Sequence, residues 1–452
     1  MKKTRIIVAV VMTLTLCLSL APTVLAAPDP ELDIAAITKM LQVPEGTKYP
    51  DVSYVFEASP YAYNLSTEDT AKLPALGDDG KFEINFGTNL APFKTEGGIT
   101  TYIKESGDLL ALGTGKVGFP NAGLYEYAIK ETVTSPAIPA DSIHEKMVMS
   151  EAEYLMTVTV REDDGVPYIY NISVKRSADD GGTPLTGNDA VKVDPTPGGD
   201  GDNSTPPYSA MVFTNKYIKT NGASNPLDPE DKNPDPRDPT DVDEEDETGN
   251  PDTDKPNYLD PRETTMNVIK RVSGDLASTS MPFKFSMTIT VPDIIQEFKL
   301  DYYNAFIIGP EGFVTPDHVT GAVVIEQANG KDYIQVIPGE AVGFELKANE
   351  ALFFTNTPVG TKYSVTETLA TGYTTSIRVQ SDGVKLSRIS GLASGSQLAG
   401  EGFNAATYNN SFADPTAGGL NVNDLPFYGL ILLAIGGLVL YVVIKARKGD
   451  RG

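Results

Sequence analysis

Three side chains that together could form an amide cross-link occur in the same order in each half of the chain. They are a lysine, a glutamate and an asparagine: Lys39, Glu131 and Asn215, then Lys270, Glu367 and Asn410. A lysine amine that has lost its proton is a nucleophile, and a protonated glutamate can polarise a carboxamide and shuttle protons as ammonia leaves. The product of such a reaction would be a Lys–Asn isopeptide bond.

Each of the six residues lies in a segment whose pattern predicts a β-strand. The strands are predicted at residues 36–41, 123–131 and 211–217, and again at 266–272, 360–367 and 406–412. Alternate side chains share one face of a strand, which places all six polar groups on the apolar faces. Asn409 falls on the opposite face from Asn410 and is therefore the weaker candidate.

Burial on these faces would set the protonation states that the chemistry needs. Desolvation lowers the pKa of a lysine and raises that of a glutamate, so a dry site can hold a neutral amine beside a protonated acid. Two plainer interpretations stay open. Each lysine could be an edge residue whose stem is buried while its amine reaches water. Each domain could instead hold satisfied buried polar groups and no cross-link.

The three strand motifs resemble a known family. A lysine in the first strand, a glutamate closing a Y-x-[IV]-x-E strand and an asparagine in an F-T-N-x-Y final strand are similar to the pilin isopeptide-linkage domains of Gram-positive surface proteins. The second final strand departs slightly, since Asn410 lies between Tyr408 and Phe412. The resemblance implies Ig-like β-sandwiches with self-formed Lys39–Asn215 and Lys270–Asn410 bonds, promoted by Glu131 and Glu367.

The composition excludes several other functions. The chain has 452 residues, a formal charge of −25, two histidines and one cysteine, Cys17, in the N-terminal apolar run. The acidic balance argues against nucleic acid as a partner, and the cysteine count excludes disulfides and Cys-ligated zinc. His144 and His318 lie in different predicted domains, and Glu162–Asp164 is most simply a hairpin tip. We therefore expect no catalytic residues, no metal and no cofactor.

The strand pattern predicts an all-β fold of two tandem Ig-like antiparallel β-sandwiches. The first domain is predicted at 27–220, with an irregular loop at 177–207, and the second at 262–414. Between them, residues 221–261 are rich in aspartate and proline and predict an extended linker. A calcium site is the alternative there, but the segment lacks the D-x-[DN]-x-[DN]-G order of known calcium loops.

Both ends of the chain have the pattern of targeting signals. Residues 1–26 predict a secretory signal peptide, and residues 425–452, after a juxtamembrane linker at 415–424, predict a transmembrane span with a basic tail. At the start of the span, the motif Leu425, Pro426, Phe427, Tyr428 and Gly429 resembles the L-P-x-T-G sorting signal of sortase substrates. Tyr428 stands where threonine is usual, and a plain membrane anchor is the alternative.

These features together predict a structural cell-surface protein, pilin-like or stalk-like. The resemblance implies a sortase and the cell wall or other pilus subunits as partners. The alternative is an adhesin that binds a host or neighbour-cell ligand through loops such as 65–79, 136–144 or 177–207. Any isopeptide chemistry would occur once per domain, so we do not expect an enzyme.

Overall fold

The computed structural model describes residues 33–77, 79–138, 145–187, 190–198, 208–221, 266–292, 294, 301–328, 330–355, 357–412, 430–438, 440, 441 and 445. The predicted signal peptide, the linker beyond residue 221, the segment 415–424 and the motif 425–429 lie outside the described residues. Residues 430–438 are helical. Within the described part of the chain, no helix is long and apolar enough to span a membrane.

The chain divides into two compact units. Unit 1 contains the residues up to Val43 and Tyr49–Tyr217, and unit 2 contains Pro44–Lys48 and the residues from Ile218 onward. The strands up to the end of unit 1 are Thr38–Pro44 (β1), Ser53–Tyr63 (β2), Lys81–Asn85 (β3), Lys94–Glu96 (β4), Ile99–Glu105 (β5), Ala111–Leu112 (β6), Gly115–Lys116 (β7), Gly123–Ser135 (β8), Glu145–Val148 (β9), Glu153–Asp163 (β10), Val166–Ala178 (β11), Lys192–Val193 (β12) and Val212–Asn221 (β13), with a short 3-10 helix at Thr70–Lys72.

Two sheets face each other across the core of unit 1. One contains β13, β1, β5 and β4 in that order, with β9 paired to β13, and the other has the order β12–β11–β10–β8–β2–β3. The first and last strands, β1 and β13, are parallel neighbours. Side chains from both sheets, including Leu41, Phe56, Tyr127 and Phe213, are buried in one apolar core. Burial of one face of each strand explains why the apolar residues alternate.

The strands of unit 2 are Asn267–Ser273 (β14), Phe283–Thr290 (β15), Tyr303–Gly309 (β16), Gly312–Val314 (β17), Val323–Ile325 (β18), Tyr333–Val336 (β19), Ala341–Leu346 (β20), Ala351–Phe354 (β21), Thr357–Pro358 (β22), Lys362–Glu367 (β23), Tyr373–Ser381 (β24), Val384–Lys385 (β25), Ile389–Ser390 (β26), Gln397–Leu398 (β27) and Ala405–Phe412 (β28). The larger sheet runs β18–β19–β16–β21–β14–β28–β24–β25, and the smaller one runs β20–β15–β23–β27. Here too the first and last strands, β14 and β28, are parallel neighbours.

The prediction of an all-β, sandwich-like fold is confirmed, and strand bounds differ by a few residues. Strand β8 continues to Ser135, past the predicted end at Glu131, because residues 133–135 still pair with β2. In unit 2 the sheet also buries part of its other face. A small apolar cluster that includes Ile269, Phe353 and Ala405 covers it, so Thr407 is 2% exposed although it points away from the main core.

Candidate functional site

In unit 1, the parallel pairing of β1 and β13 brings a lysine and an asparagine to the same core face. Lys39 is the register partner of Phe213, and Leu41 is the partner of Asn215. Lys39 and Asn215 therefore lie two positions apart along neighbouring strands. Residues two apart on a strand point to the same side, so both side chains enter the space between the sheets. Both are fully buried.

Glu131 reaches this pair from the opposite sheet, where it lies on β8. Its Oε2 is 2.7 Å from Lys39 Nζ, and its Oε1 accepts a hydrogen bond from Asn215 Nδ2 at 2.8 Å. The side chains of Lys39 and Glu131 have no solvent-exposed surface. One carboxyl group thus contacts both the amine that could attack and the amide nitrogen that could leave.

The remaining contacts of the cluster come from β2 and from the segment between β9 and β10. Lys39 Nζ lies 4.7 Å from the centroid of the Tyr54 ring, a cation–π distance. Asn215 Oδ1 accepts a hydrogen bond from the backbone N–H of Ser150 at 2.7 Å, and Asn215 Nδ2 lies 3.3 Å from Met149 Sδ. The asparagine is therefore held in one orientation, with its carbonyl oxygen toward a donor.

Desolvation moves the pKa values of the acid and the base toward each other. Burial lowers the pKa of Lys39 from 10.5 to about 8, although the nearby Glu131 carboxylate acts in the opposite direction. Burial likewise raises the pKa of Glu131, against the effects of Lys39 and of the Asn215 hydrogen bond. A smaller pKa difference lowers the free energy needed to move the proton from the amine to the carboxylate.

Unit 2 repeats this arrangement with its own three residues. Lys270 pairs in register with Tyr408, and Val272 pairs with Asn410, so the lysine and asparagine have the same two-residue offset as in unit 1. From the smaller sheet, Glu367 Oε1 lies 2.9 Å from Lys270 Nζ and accepts a hydrogen bond from Asn410 Nδ2 at 2.7 Å. All three residues are at most 1% exposed.

The surroundings of the second cluster are more apolar. Lys270 Nζ lies 4.1 Å from the centroid of the Phe283 ring, and burial lowers its pKa from 10.5 to about 8. Among the residues that the structure describes, none donates a hydrogen bond to Asn410 Oδ1 or to Glu367 Oε2. Within the described residues, the second asparagine carbonyl has no counterpart of the Ser150 donor that the first one has.

The other sequence candidates lie apart from these clusters. Glu162 and Asp163 end β10, Asp164 lies in the turn before β11, and all three are exposed, as expected of a hairpin tip. His144 is outside the described residues, and His318 lies in unit 2 beside a small cavity. Within the described ranges, no group of three or more histidine, cysteine or acidic side chains could hold a metal ion.

Comparison with known proteins gives one partial family match. A family described as "Domain of unknown function (DUF7601)" matches residues 264–391, a range that contains Lys270 and Glu367 and ends before Asn410. No curated protein matches the chain.

Solved structures that match the chain include pilins and adhesins. The major pilin of Streptococcus pyogenes aligns with 84% of this chain and 98% of its own, at 16% identity and a TM-score of 0.30. An adhesin from Mobiluncus mulieris with intramolecular disulfide, isopeptide and ester cross-links aligns with 84% of this chain and 100% of its own, at 10% identity and a TM-score of 0.20.

Sequence reasoning missed the residues that surround each cluster. Tyr54 and Phe283, whose rings face the lysines, each precede by two positions a phenylalanine on the same strand. That shared aromatic-x-Phe pattern was a usable signal. The Ser150 contact had none, because it is a backbone N–H brought to Asn215 from 65 residues away in sequence.

Proposed function

We propose that the chain is a structural cell-surface protein, pilin-like or stalk-like, whose two domains are locked by self-formed isopeptide bonds. The bonds would join Lys39 to Asn215 and Lys270 to Asn410. The observation that carries this proposal is the repetition of one buried geometry: in each unit a carboxyl group contacts both a lysine amine and an asparagine amide. A buried lysine placed in this way twice fits a reactive role better than an edge position that reaches water.

The reaction proceeds through proton transfers within each cluster. The Lys39 ammonium gives a proton to the Glu131 carboxylate, and the neutral Nζ attacks Cγ of Asn215. Glu131 then gives its proton to Nδ2 and becomes a carboxylate again. The Nζ nitrogen, which is positively charged after its attack, loses a proton to that carboxylate. The Cγ–Nδ2 bond breaks, ammonia leaves, and an amide joins β1 to β13. Lys270, Glu367 and Asn410 follow the same course.

The role of each glutamate is to lower the barrier by shuttling protons at a fixed position. General acid–base catalysis of this kind contributes about 10²- to 10⁴-fold in rate. The lysine and asparagine are consumed, so each site turns over once and the protein is not an enzyme. No cofactor takes part in these steps.

The sequence of the two ends supports a cell-surface location within this proposal. Residues 1–26 would direct export, and the motif 425–429 would be joined by a sortase to the cell wall or to another subunit. If the motif is not processed, the C-terminal segment would remain as a membrane anchor. In either case the two cross-linked domains would stand outside the cell, where the chain has no disulfides to stabilise it.

The decisive test is the intact mass of the purified chain together with peptide mapping. We expect a mass lower than the sequence mass by two ammonias, with cross-linked peptides that contain Lys39 with Asn215 and Lys270 with Asn410. Mapping is essential, because an asparagine that cyclises to a succinimide also loses one ammonia. A folded chain of unshifted mass would refute the proposed bonds.

Asn409 provides a matched control for the second site. It neighbours Asn410 on β28 but lies on the other face of the strand and is only half-buried. In Asn410→Ala the mass deficit, relative to the sequence mass of the variant, should fall from two ammonias to one. In Asn409→Ala the deficit should remain two ammonias. If Asn409→Ala instead lowers the deficit to one ammonia and Asn410→Ala does not, Asn409 and not Asn410 forms the bond.

A further inference from the structure

An acidic side chain outside the three-residue cluster of unit 1 fixes the position of the donor to Asn215. Asp180 follows β11, and its Oδ1 accepts hydrogen bonds from Ser150 Oγ at 2.5 Å and from the Thr214 backbone N–H at 2.9 Å. Thr214 directly precedes Asn215 on β13. A single carboxylate oxygen therefore ties the donor residue, Ser150, to the strand that carries the asparagine.

Further hydrogen bonds hold the segment between β9 and β10 in place. The backbone N–H of Glu151 donates to the backbone carbonyl of Asp180 at 3.0 Å, and the N–H of Ala152 donates to Ser150 Oγ at 3.2 Å. On its other side, Asp180 Oδ2 accepts a hydrogen bond from the Arg176 guanidinium at 2.9 Å. Ser150 is 2% exposed, so water cannot replace Asn215 as the acceptor of its backbone N–H unless this segment moves.

We infer that Asp180 is a positioning residue for bond formation in unit 1: through Ser150 it holds a backbone N–H against Asn215 Oδ1, which activates the carbonyl toward Lys39. This inference rests on the proposed isopeptide reaction. When Nζ adds to Cγ, negative charge develops on Oδ1, and a donor already at hydrogen-bond distance stabilises that charge without reorganisation. The carboxyl group of Glu131 contacts Nδ2 and is free to serve the leaving nitrogen.

Unit 2 provides the contrast within the same molecule. No described residue donates a hydrogen bond to Asn410 Oδ1, so the developing charge there has no preset donor within the part of the chain that the structure describes. In both units the carboxyl group lies within 3 Å of the lysine amine, but Glu131 uses one oxygen for Lys39 and the other for Asn215, whereas Glu367 Oε1 contacts both Lys270 and Asn410. The Lys39–Asn215 bond should therefore form faster than the Lys270–Asn410 bond.

The test measures both bonds in one refolding reaction. The full chain is recovered unfolded in denaturant, refolded by dilution into mild detergent, and quenched in acid at intervals. Peptide mapping then gives the rate of each cross-link. In the parent chain we expect the Lys39–Asn215 cross-link to form first. In Asp180→Ala we expect the rate of the Lys39–Asn215 cross-link to fall on the order of tenfold and the rate of the Lys270–Asn410 cross-link to stay unchanged. The fall is smaller than that for complete loss of an oxyanion donor, because the Ser150 N–H is still present but is no longer held in place.

A conservative variant separates positioning from charge and from general loosening of the fold. Asp180→Asn loses the charge and the Arg176 contact but retains an Oδ1 that can accept from Ser150 Oγ and Thr214 N–H, so we expect a rate much closer to that of the parent chain than to that of Asp180→Ala. Ser150→Pro removes the donating N–H itself and should slow the first bond on the order of 10²-fold. Circular dichroism and the rate of the second bond report whether each variant folds.

Three results would overturn the inference. Asp180→Ala could leave the Lys39–Asn215 rate unchanged, Asp180→Asn could slow it as much as Asp180→Ala does, or the two bonds of the parent chain could form at equal rates. If the parent chain folds and forms neither bond, the proposed function itself fails, which is a distinct outcome. If Ser150→Pro does not fold, the comparison of Asp180→Ala with Asp180→Asn still decides.

Discussion

Phe56 lies directly opposite Glu131 in the antiparallel pair of β2 and β8, and its ring meets the edge of Phe213 with centroids 5.1 Å apart. Phe213 is in turn the register partner of Lys39. The aromatic pair therefore spans the two sheets beside the cluster and sets the distance across which Glu131 must reach. Aromatic pairs in this edge-to-face arrangement contribute about 0.5–1.5 kcal/mol beyond the burial of their area.

Unit 2 contains the same relationship. Phe285 lies opposite Glu367, and its ring meets the edge of Tyr408, the register partner of Lys270, again with centroids 5.1 Å apart. An equal spacing in both units indicates that the aromatic pair and the reactive cluster form one structural arrangement. The cluster is then preorganised by the core around it.

Replacing each glutamate by glutamine should abolish the bond in its own unit only. Glu131→Gln keeps the size of the side chain but cannot accept the Lys39 proton, so we expect the chain to lose one ammonia instead of two. Glu367→Gln should give the complementary result. Intact mass and peptide mapping measure both, and the unaltered unit serves as the control in each variant. Continued cross-linking at the altered site would contradict the acid–base role.

Loss of the first bond should strongly lower the stability of unit 1. The Lys39–Asn215 bond would close most of the unit into a loop, and the chain-entropy model gives a stabilisation on the order of 5 kcal/mol for a loop of that length. Asn215→Ala also leaves the buried Ser150 N–H without its acceptor and Glu131 Oε1 without its donor, although Glu131 keeps its contact with Lys39, and this costs a further 1–3 kcal/mol or so. Guanidinium denaturation followed by fluorescence or circular dichroism measures the change.

The control for this stability change is Asn409→Ala, whose side chain is outside the main core. We expect it to change the free energy of unfolding by about 0.5 kcal/mol or less. A loss in Asn215→Ala of similar size would argue that the parent chain is not cross-linked.

The rate of bond formation in unit 1 should fall above about pH 8. The reaction needs a neutral Lys39 amine beside a protonated Glu131, and this pair contains the same number of protons as the ion pair. The rate should therefore not change with pH as long as the two groups together keep that number of protons. Above the lowered pKa of Lys39, about 8, the amine is neutral but Glu131 is ionised and cannot act as an acid. Refolding between about pH 6.5 and 9.5, with mapping of each time point, measures this. A rate that rises through pH 8 would show that only the neutral amine matters.

In a chain that cannot cross-link, the buried lysine should make stability depend on pH. The pKa of Lys39 is 10.5 unfolded and about 8 folded, so the unfolded state binds more protons between these values. The free energy of unfolding of Asn215→Ala should therefore rise with pH above about 8, by about 1 kcal/mol per pH unit. Measurements are kept below about pH 9, because burial raises the pKa of Tyr54, Tyr127 and Tyr154, and ionisation of these tyrosines in the unfolded chain at higher pH would lower the free energy of unfolding.

The double variant Lys39→Met, Asn215→Ala is the matched control for this pH dependence. Methionine has a similar length and no charge, so the rise in stability above pH 8 should disappear. If the double variant keeps the same slope, another group is responsible for it.

The sequence was sufficient to predict the three reactive residue types and the faces on which they lie. The period of two along a strand placed Lys39, Glu131 and Asn215 inward, and burial follows from that placement. The segments around them also predicted strands, because β-branched and aromatic residues alternate there. The parallel pairing of the first and last strands was not predicted, because the alternation of side chains along a strand does not depend on the direction of its neighbour.

The support around the reactive residues could not be predicted in the same way. Asp180 and Ser150 lie outside the strands, where no periodicity constrains the direction of a side chain. Their contacts join positions that are 30 and 65 residues apart in sequence. Such contacts depend on how the turns after β9 and β11 close, which is decided by the packed fold.

The parallel pairing of β1 with β13 also determines how unit 1 would carry a mechanical load. Parallel neighbours run in the same direction, so the chain enters this strand pair at one end and leaves it at the other. Tension on the two ends would pull the strands past each other in shear, which strains all their hydrogen bonds at once instead of opening them one by one. A covalent link between Lys39 and Asn215 would carry that tension directly from β1 to β13, and the rest of the sandwich would remain unloaded.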